Sequence, residues 1–222
     1  MRVIILVITL VSLILASENS KCLELNINKI ENGDIKVMKE YMDNCKSELS
    51  EESIMSYVES RRQKSLKSDS LVCIGDSFIL NKKLRNAYYY YAQGIMLDND
   101  DAKRNIAYMN INFNKELDNA YSTRIDRPYY TKKEMEIFVN LLNKDNKSNF
   151  IDNVTKRKNL DEIKSHIKNC SNIIQIKKDE FNIKLIELEK SADIYDNYNY
   201  IEYLYLKDTL GELRNVKRRF EY

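Results

Sequence analysis

Four cysteines, one histidine and two short runs of alternating basic residues are the groups in this 222-residue chain whose spacing invites chemistry. Cys22, Cys45, Cys73 and Cys170 are even in number, as expected of thiols that pair in an oxidising compartment. Two bridges are expected, and spacing leaves all three connectivities open. No pair forms C-x-x-C, and His166 stands alone four residues before Cys170, so no zinc site and no cofactor are expected. A single histidine also excludes most imidazole-based catalysis. No Gly-x-Ser-x-Gly elbow, phosphate loop or His-Glu-x-x-His motif is present, so no catalytic residue is assigned. His166 reads as a solvated or half-buried helix residue. The acidic pairs Glu51-Glu52 and Asp100-Asp101 fall where helix starts are expected, and the helix dipole accounts for them.

The basic runs are Ser60-Arg61-Arg62-Gln63-Lys64-Ser65 and Asn81-Lys82-Lys83-Leu84-Arg85-Asn86, both of the form X-B-B-X-B-X. That spacing sets Arg61, Arg62 and Lys64, and again Lys82, Lys83 and Arg85, along part of a helix face or turn. Forked guanidiniums and mobile ammoniums can meet a row of sulfates there. Lys156-Arg157-Lys158 and Lys217-Arg218-Arg219 add further basic points. The plainer reading, solvated helix ends that complement the C-terminal dipole, fits Arg61 to Lys64 well. With a net charge of only +2, long-range attraction to nucleic acid is not supported, and the partner expected is a protein or a sulfated glycosaminoglycan. Three N-x-S/T tripeptides, at Asn146, Asn153 and Asn169, are glycosylation acceptors in a eukaryotic secretory route.

That route is implied by the N-terminus. Behind Arg2, an apolar run from Val3 to Ala16 is too short for the roughly 20 residues of a spanning helix. It ends in the small residues Ala16 and Ser17 and reads as a secretory signal peptide, residues 1–17. No later run is as apolar, so no membrane span is expected after cleavage.

The mature part reads as all-α. With 43% hydrophobic residues, four glycines and one proline, the chain can build a core but lacks the turns of a β-sandwich. Asp34 caps a stripe of Ile35, Met38, Tyr41, Met42 and Cys45, and Ser50 opens a helix that ends near Lys67, with Ser65–Ser70 as a link. Leu71, Ile74, Gly75, Phe78 and Ile79 form the next stripe. Leu84 to Met96 follows, with Tyr88 and Tyr91 in the core and Tyr89 and Tyr90 outside. Asp98 to Asp101 breaks the run and caps a helix bearing Ala102, Ile106, Ala107 and Met109. Tyr121 to Tyr130, with Pro128, marks the boundary between a helical region 18–120 and a C-terminal helical region 121–222. Thr131 and Glu134 form a capping box, Asn143–Asn149 a loop, Leu160–Leu188 one long helix or two, and Tyr195–Phe220 a last helix.

Ile74-Gly75, Ala87-Tyr88-Tyr89-Tyr90-Tyr91-Ala92 and Ala102-Lys103-Arg104-Asn105-Ile106-Ala107 together resemble a tetratricopeptide or Sel1-like helical repeat over residues 71–109. The resemblance implies helical hairpins in a short irregular stack; an ordinary hairpin packed by Ala and Tyr is the alternative. In profile, the export signal, paired cysteines and Asn/Ile/Lys/Tyr-rich composition resemble microsporidian spore-wall proteins. The resulting expectation is a secreted, non-enzymatic binding protein, of a cell wall or surface or of host interaction, stapled by disulfides and binding through helical surfaces and basic clusters. The alternative is a secreted hydrolase with a non-standard carboxylate site. On this reading the mature chain begins at Ser17 or Glu18; N-terminal sequencing of the native protein checks it, and an intact Met1 would refute the export argument.

Overall fold

The computed structural model describes residues 27–45, 49–121, 127–144, 149–191 and 197–221. The expected leader and Cys22 lie outside them. Among the described residues every element is a helix: α1 (Ile27–Glu31), α2 (Ile35–Asn44), α3 (Glu51–Leu80), α4 (Leu84–Met96), α5 (Asp100–Asn112), α6 (Asn114–Tyr121), α7 (Lys132–Asn143), α8 (Phe150–Lys156), α9 (Leu160–Ser191) and α10 (Asn197–Phe220). None is long and apolar enough to cross a membrane.

The helix starts follow local chemistry. Asp34 accepts from the Val37 amide at 3.1 Å, Asn99 from Ala102 at 2.9 Å, and Thr131 with Glu134 closes a full capping box. Each satisfies amides that a helix start leaves without partners. Ser50 does the same for Ser53 at 3.1 Å, but the helix it opens does not stop in the basic run. It continues to Leu80, broken only by one residue, Lys67, with φ 61 and ψ 159. The expected Ser65–Ser70 link therefore shrinks to a single non-helical residue. Buried Leu66, Ser70 and Leu71 hold both sides of it in packed structure.

The chain forms two compact units. One is the described part of Met1–Lys64 together with Lys184–Lys207. Here Met38, Tyr41, Met42 and Cys45 of the expected stripe are buried with Ile30, Tyr57 and Val58, whereas Ile35, at 40% exposure, is not. Gly33 takes φ +76 in the turn between α1 and α2, a conformation that favours glycine.

The other unit comprises Ser65–Ile183 with Asp208–Tyr222, so the boundary read at residue 121 falls inside it. Its core includes Leu71, Ile74, Phe78, Ala87, Tyr88, Tyr91, Ala102, Ile106, Met109 and Phe138. Tyr90 was expected outside but is buried, stacked on Phe78 with ring centroids 5.6 Å apart. Leu160–Ser191 is one helix, and the short α8 is an element that periodicity did not mark. The small residues sit at close approaches. A Cβ on Gly75 would lie 2.7 Å from Cδ1 of Tyr91, and one on Gly94 would lie 2.9 Å from the Ala102 Cβ.

Because the Tyr91 ring occupies the space above Gly75 and its hydroxyl is hydrogen-bonded, it cannot swing away freely. Gly75→Ala is expected to overpack this contact at a cost of about 1–3 kcal/mol. A melting curve of the variant measures it, and an unchanged midpoint would mean the ring yields.

Candidate functional site

Asp76 lies one residue beyond Gly75 and is fully buried. A carboxylate without water must find donors, and three helices supply them. The Tyr91 hydroxyl of α4 donates to Oδ1 at 2.6 Å, Nδ2 of Asn105 on α5 to the same oxygen at 3.5 Å, and Nε2 of His166 on α9 lies 2.7 Å from Oδ2. The network runs on: Nδ2 of Asn149 donates to Oδ1 of Asn105 at 3.1 Å, while its own Oδ1 caps α8 by accepting from Ile151 at 2.9 Å. α8 is held to α5 by the Tyr108 hydroxyl, which donates to Asp152 at 2.6 Å.

Phe150, at the start of α8, stacks on the His166 imidazole with centroids 4.3 Å apart and planes at 29°. These groups line a cavity of about 160 Å³ together with Val72, Asp101, Arg104 and Leu142. Arg104 Nη1 faces Asp101 at 3.6 Å on the first turn of α5. Directly behind His166, the sulfurs of Cys73 and Cys170 are bonded at 2.07 Å across 97 residues of sequence. The Cys170 sulfur is 3.6 Å from His166 Nε2 and 4.0 Å from Asp76 Oδ2. Cys45 is also disulfide-bonded.

Burial opposes a charge on His166, but the hydrogen bond and charge of Asp76, aided by the charge of Asp101, outweigh it and raise its pKa above 6.5. Burial and Asp76 likewise push the Tyr91 hydroxyl well above its ordinary value, so it stays a donor. His166 is thus half-buried, as expected from sequence, yet it is engaged by a deeply buried acid that the sequence reading did not single out. The signal available was its register: Cys73-x-x-Asp76 and His166-x-x-x-Cys170 each place two donors on one helix face.

The basic hexamers behave differently from one another. Arg61 pairs with Glu202 at 2.8 Å and covers the Tyr205 ring at 5.0 Å; Arg62 pairs with Glu59; Lys64 donates to the carbonyl of Asn32. In the other unit Lys82 and Lys83 are exposed in the turn after α3, and among the described residues no carboxylate pairs with them. Arg85 lies over the Tyr121 ring at 5.4 Å. Among the sequons, Asn169 is exposed and Asn146 lies outside the described residues. Asn153 is buried, its amide donating to Glu162 at 3.1 Å, so this arrangement of the side chain is that of an unglycosylated asparagine.

No protein-family model matches the chain, and neither does any curated protein or solved structure.

A group whose folded pKa is raised contributes stability that is fully present below its unfolded value, near 6.5, and lost as pH rises through the folded pKa. The melting temperature is therefore expected to fall as pH climbs past neutrality, less so in His166→Gln. As the only histidine, His166 gives one imidazole signal in a proton NMR titration. A midpoint at or below 6.5 would contradict the Asp76 pairing.

Proposed function

We propose that this chain is a secreted, non-enzymatic binding protein of a cell wall or surface, a disulfide-stapled set of repeat-like helical hairpins that takes up sulfated polyanions. The observation that carries the reading is a tertiary one. Arg219, near the end of α10, lays its guanidinium 3.9 Å over the Phe78 ring and donates from Nε to Ser77 Oγ at 2.9 Å. The basic Lys217-Arg218-Arg219 end of the last helix therefore lies against the final turn of α3, which leads directly into Lys82 and Lys83. Arg219 is partly neutralised by Glu212 at 2.7 Å, and Lys217 donates to Gln175 at 2.8 Å. Arg218, Lys82 and Lys83 are exposed. Two basic segments far apart in sequence thus supply cations to one region of the second unit.

The first hexamer contributes less, because Arg61 and Arg62 are already held by carboxylates. Breaking such pairs to meet a sulfate gains little net energy. One observation favours a second reading, a secreted hydrolase with a carboxylate site: Asp76 and Asp101 line the same cavity as His166. Weighing against it, His166 turns Nε2 toward Asp76 and the bridged Cys170 sulfur alike, whereas a relay needs one ring nitrogen for the acid and the other for the nucleophile.

The wild type is expected to be retained on a heparin column at low salt and to elute steeply as the Debye length falls from about 10 Å at 0.1 M to about 3 Å at 1 M. Replacing Lys82, Lys83 and Arg85 by Gln should remove most retention, while the same change at Arg61, Arg62 and Lys64 should move elution little. Circular dichroism controls for folding in each variant. Flow-through of the wild type at low salt would overturn the proposal, and stronger dependence on the first hexamer would relocate the site.

A further inference from the structure

Beyond polyanion binding, and independently of it, the groups around His166 form a second kind of site. We propose that the reduced chain binds a divalent metal ion of the zinc class through Cys73, Asp76, His166 and Cys170, and that the metal and the Cys73–Cys170 bridge are mutually exclusive occupants of one position.

The donor set is right for such an ion: two sulfurs, an imidazole nitrogen and a carboxylate oxygen, from Cys73-x-x-Asp76 on α3 and His166-x-x-x-Cys170 on α9. The donor atoms of Asp76, His166 and Cys170 all lie within 4.8 Å of one another. With metal–sulfur bonds of about 2.3 Å and metal–nitrogen or –oxygen bonds of about 2.0–2.1 Å, a tetrahedron has sulfur-to-nitrogen and sulfur-to-oxygen edges of about 3.5 Å. The observed separations from the Cys170 sulfur are 3.6 Å to Nε2 and 4.0 Å to Oδ2. Nε2 and Oδ2, now 2.7 Å apart, need to open to about 3.3 Å, a side-chain adjustment. The sulfurs separate to about 3.8 Å only when the bond between them is cut.

The surroundings are those of a metal site as well. Tyr91 and Asn105 both hold Oδ1 of Asp76, leaving Oδ2 aimed at His166 and Cys170. Phe150 fixes the imidazole plane, and the cavity reaches both Asp76 and His166, giving an ion a way in. A surface cluster of acids has neither feature.

The chemistry balances with a phosphine or dithiol as reductant. Two electrons from it and two protons convert the S–S bond to two thiols. The ion then replaces both thiol protons and the proton by which the His166 imidazolium holds Asp76 through Nε2; all three go to solvent, and the imidazole left protonated on Nδ1 offers its Nε2 lone pair. An added small-molecule disulfide, accepting two electrons from the two thiolates and leaving as two thiols, restores the bridge and releases the ion.

The test is a cobalt(II) titration of the full mature chain under anaerobic conditions, before and after phosphine reduction. Expected is a tetrahedral d–d spectrum with a thiolate charge-transfer band, saturating at one cobalt per reduced chain, displaced by zinc and lacking in the oxidised protein. His166→Gln should abolish the tetrahedral bands, and Tyr91→Phe should weaken cobalt affinity by about 10- to 100-fold. Should reduction melt the helices, their recovery on adding zinc supports the site, and failure to recover refutes it. No tetrahedral spectrum in the reduced wild type, or one that His166→Gln leaves unchanged, overturns the proposal; the second result would point to the other two cysteines.

Discussion

Burying the Asp76 carboxylate is the constraint on which the packing of the second unit depends. An isolated charge in that position would cost far more than a single hydrogen bond returns, so partners have to be delivered to it from elsewhere in the chain. They arrive from α4, α5 and α9 as Tyr91, Asn105 and His166, and each donor fixes the rotation of its helix about its own axis. A hydrophobic face alone tolerates small rotations and slips. A hydroxyl that must sit 2.6 Å from one carboxylate oxygen does not. Gly75 belongs to the same device, since the missing Cβ is what lets the Tyr91 ring lie against α3 closely enough to reach the neighbouring residue.

The Cys73–Cys170 bridge acts on the same two helix faces, but through the unfolded chain rather than the folded one. In the chain-entropy account, a cross-link over 97 residues removes about 4–5 kcal/mol of loop freedom from the unfolded ensemble. Polar pairing selects the register, and the covalent link keeps the register from being lost. Both cysteines are buried, which shields the bond between them from reagents in solvent.

Much of the helical architecture was legible because it is local. The Asp34, Asn99 and Thr131 caps and the stripes through Met38 and Ile74 all follow from residues within a few positions of one another, whereas local spacing left open whether α9 was one helix or two. Two local features escaped. The break at Lys67 is one residue with positive φ rather than a run of serines, and nothing in its identity favours that backbone. The seven-residue α8 is too short to show periodicity, though Asn149 with Asp152 three residues on is a start signal. The site escaped for a different reason. Asp76 and His166 are 90 residues apart, and the polar Asp76, set between the apolar positions Ile74 and Phe78, reads as one exposed point on an amphipathic helix. Only the packing of α4, α5 and α9 around it turns an outward-looking acid into the centre of a network.

The basic hexamers teach the converse. They satisfy the same spacing rule, yet Arg61 and Arg62 are drawn into carboxylates and a tyrosine face, while Lys82 and Lys83 stand exposed in a turn. Charge spacing is a property of a few consecutive residues; availability of charge is decided by what the rest of the chain brings alongside. Arg61 meets Glu202 from 141 residues away, and that half-buried pair is held within the first unit. Near the Lys82 turn, the segment packed against the last turn of α3 is itself basic, the end of α10, where Arg218 is exposed. On the proposed polyanion reading, these exposed cations, rather than the carboxylate-paired Arg61 and Arg62 of the first hexamer, are what an anion would meet.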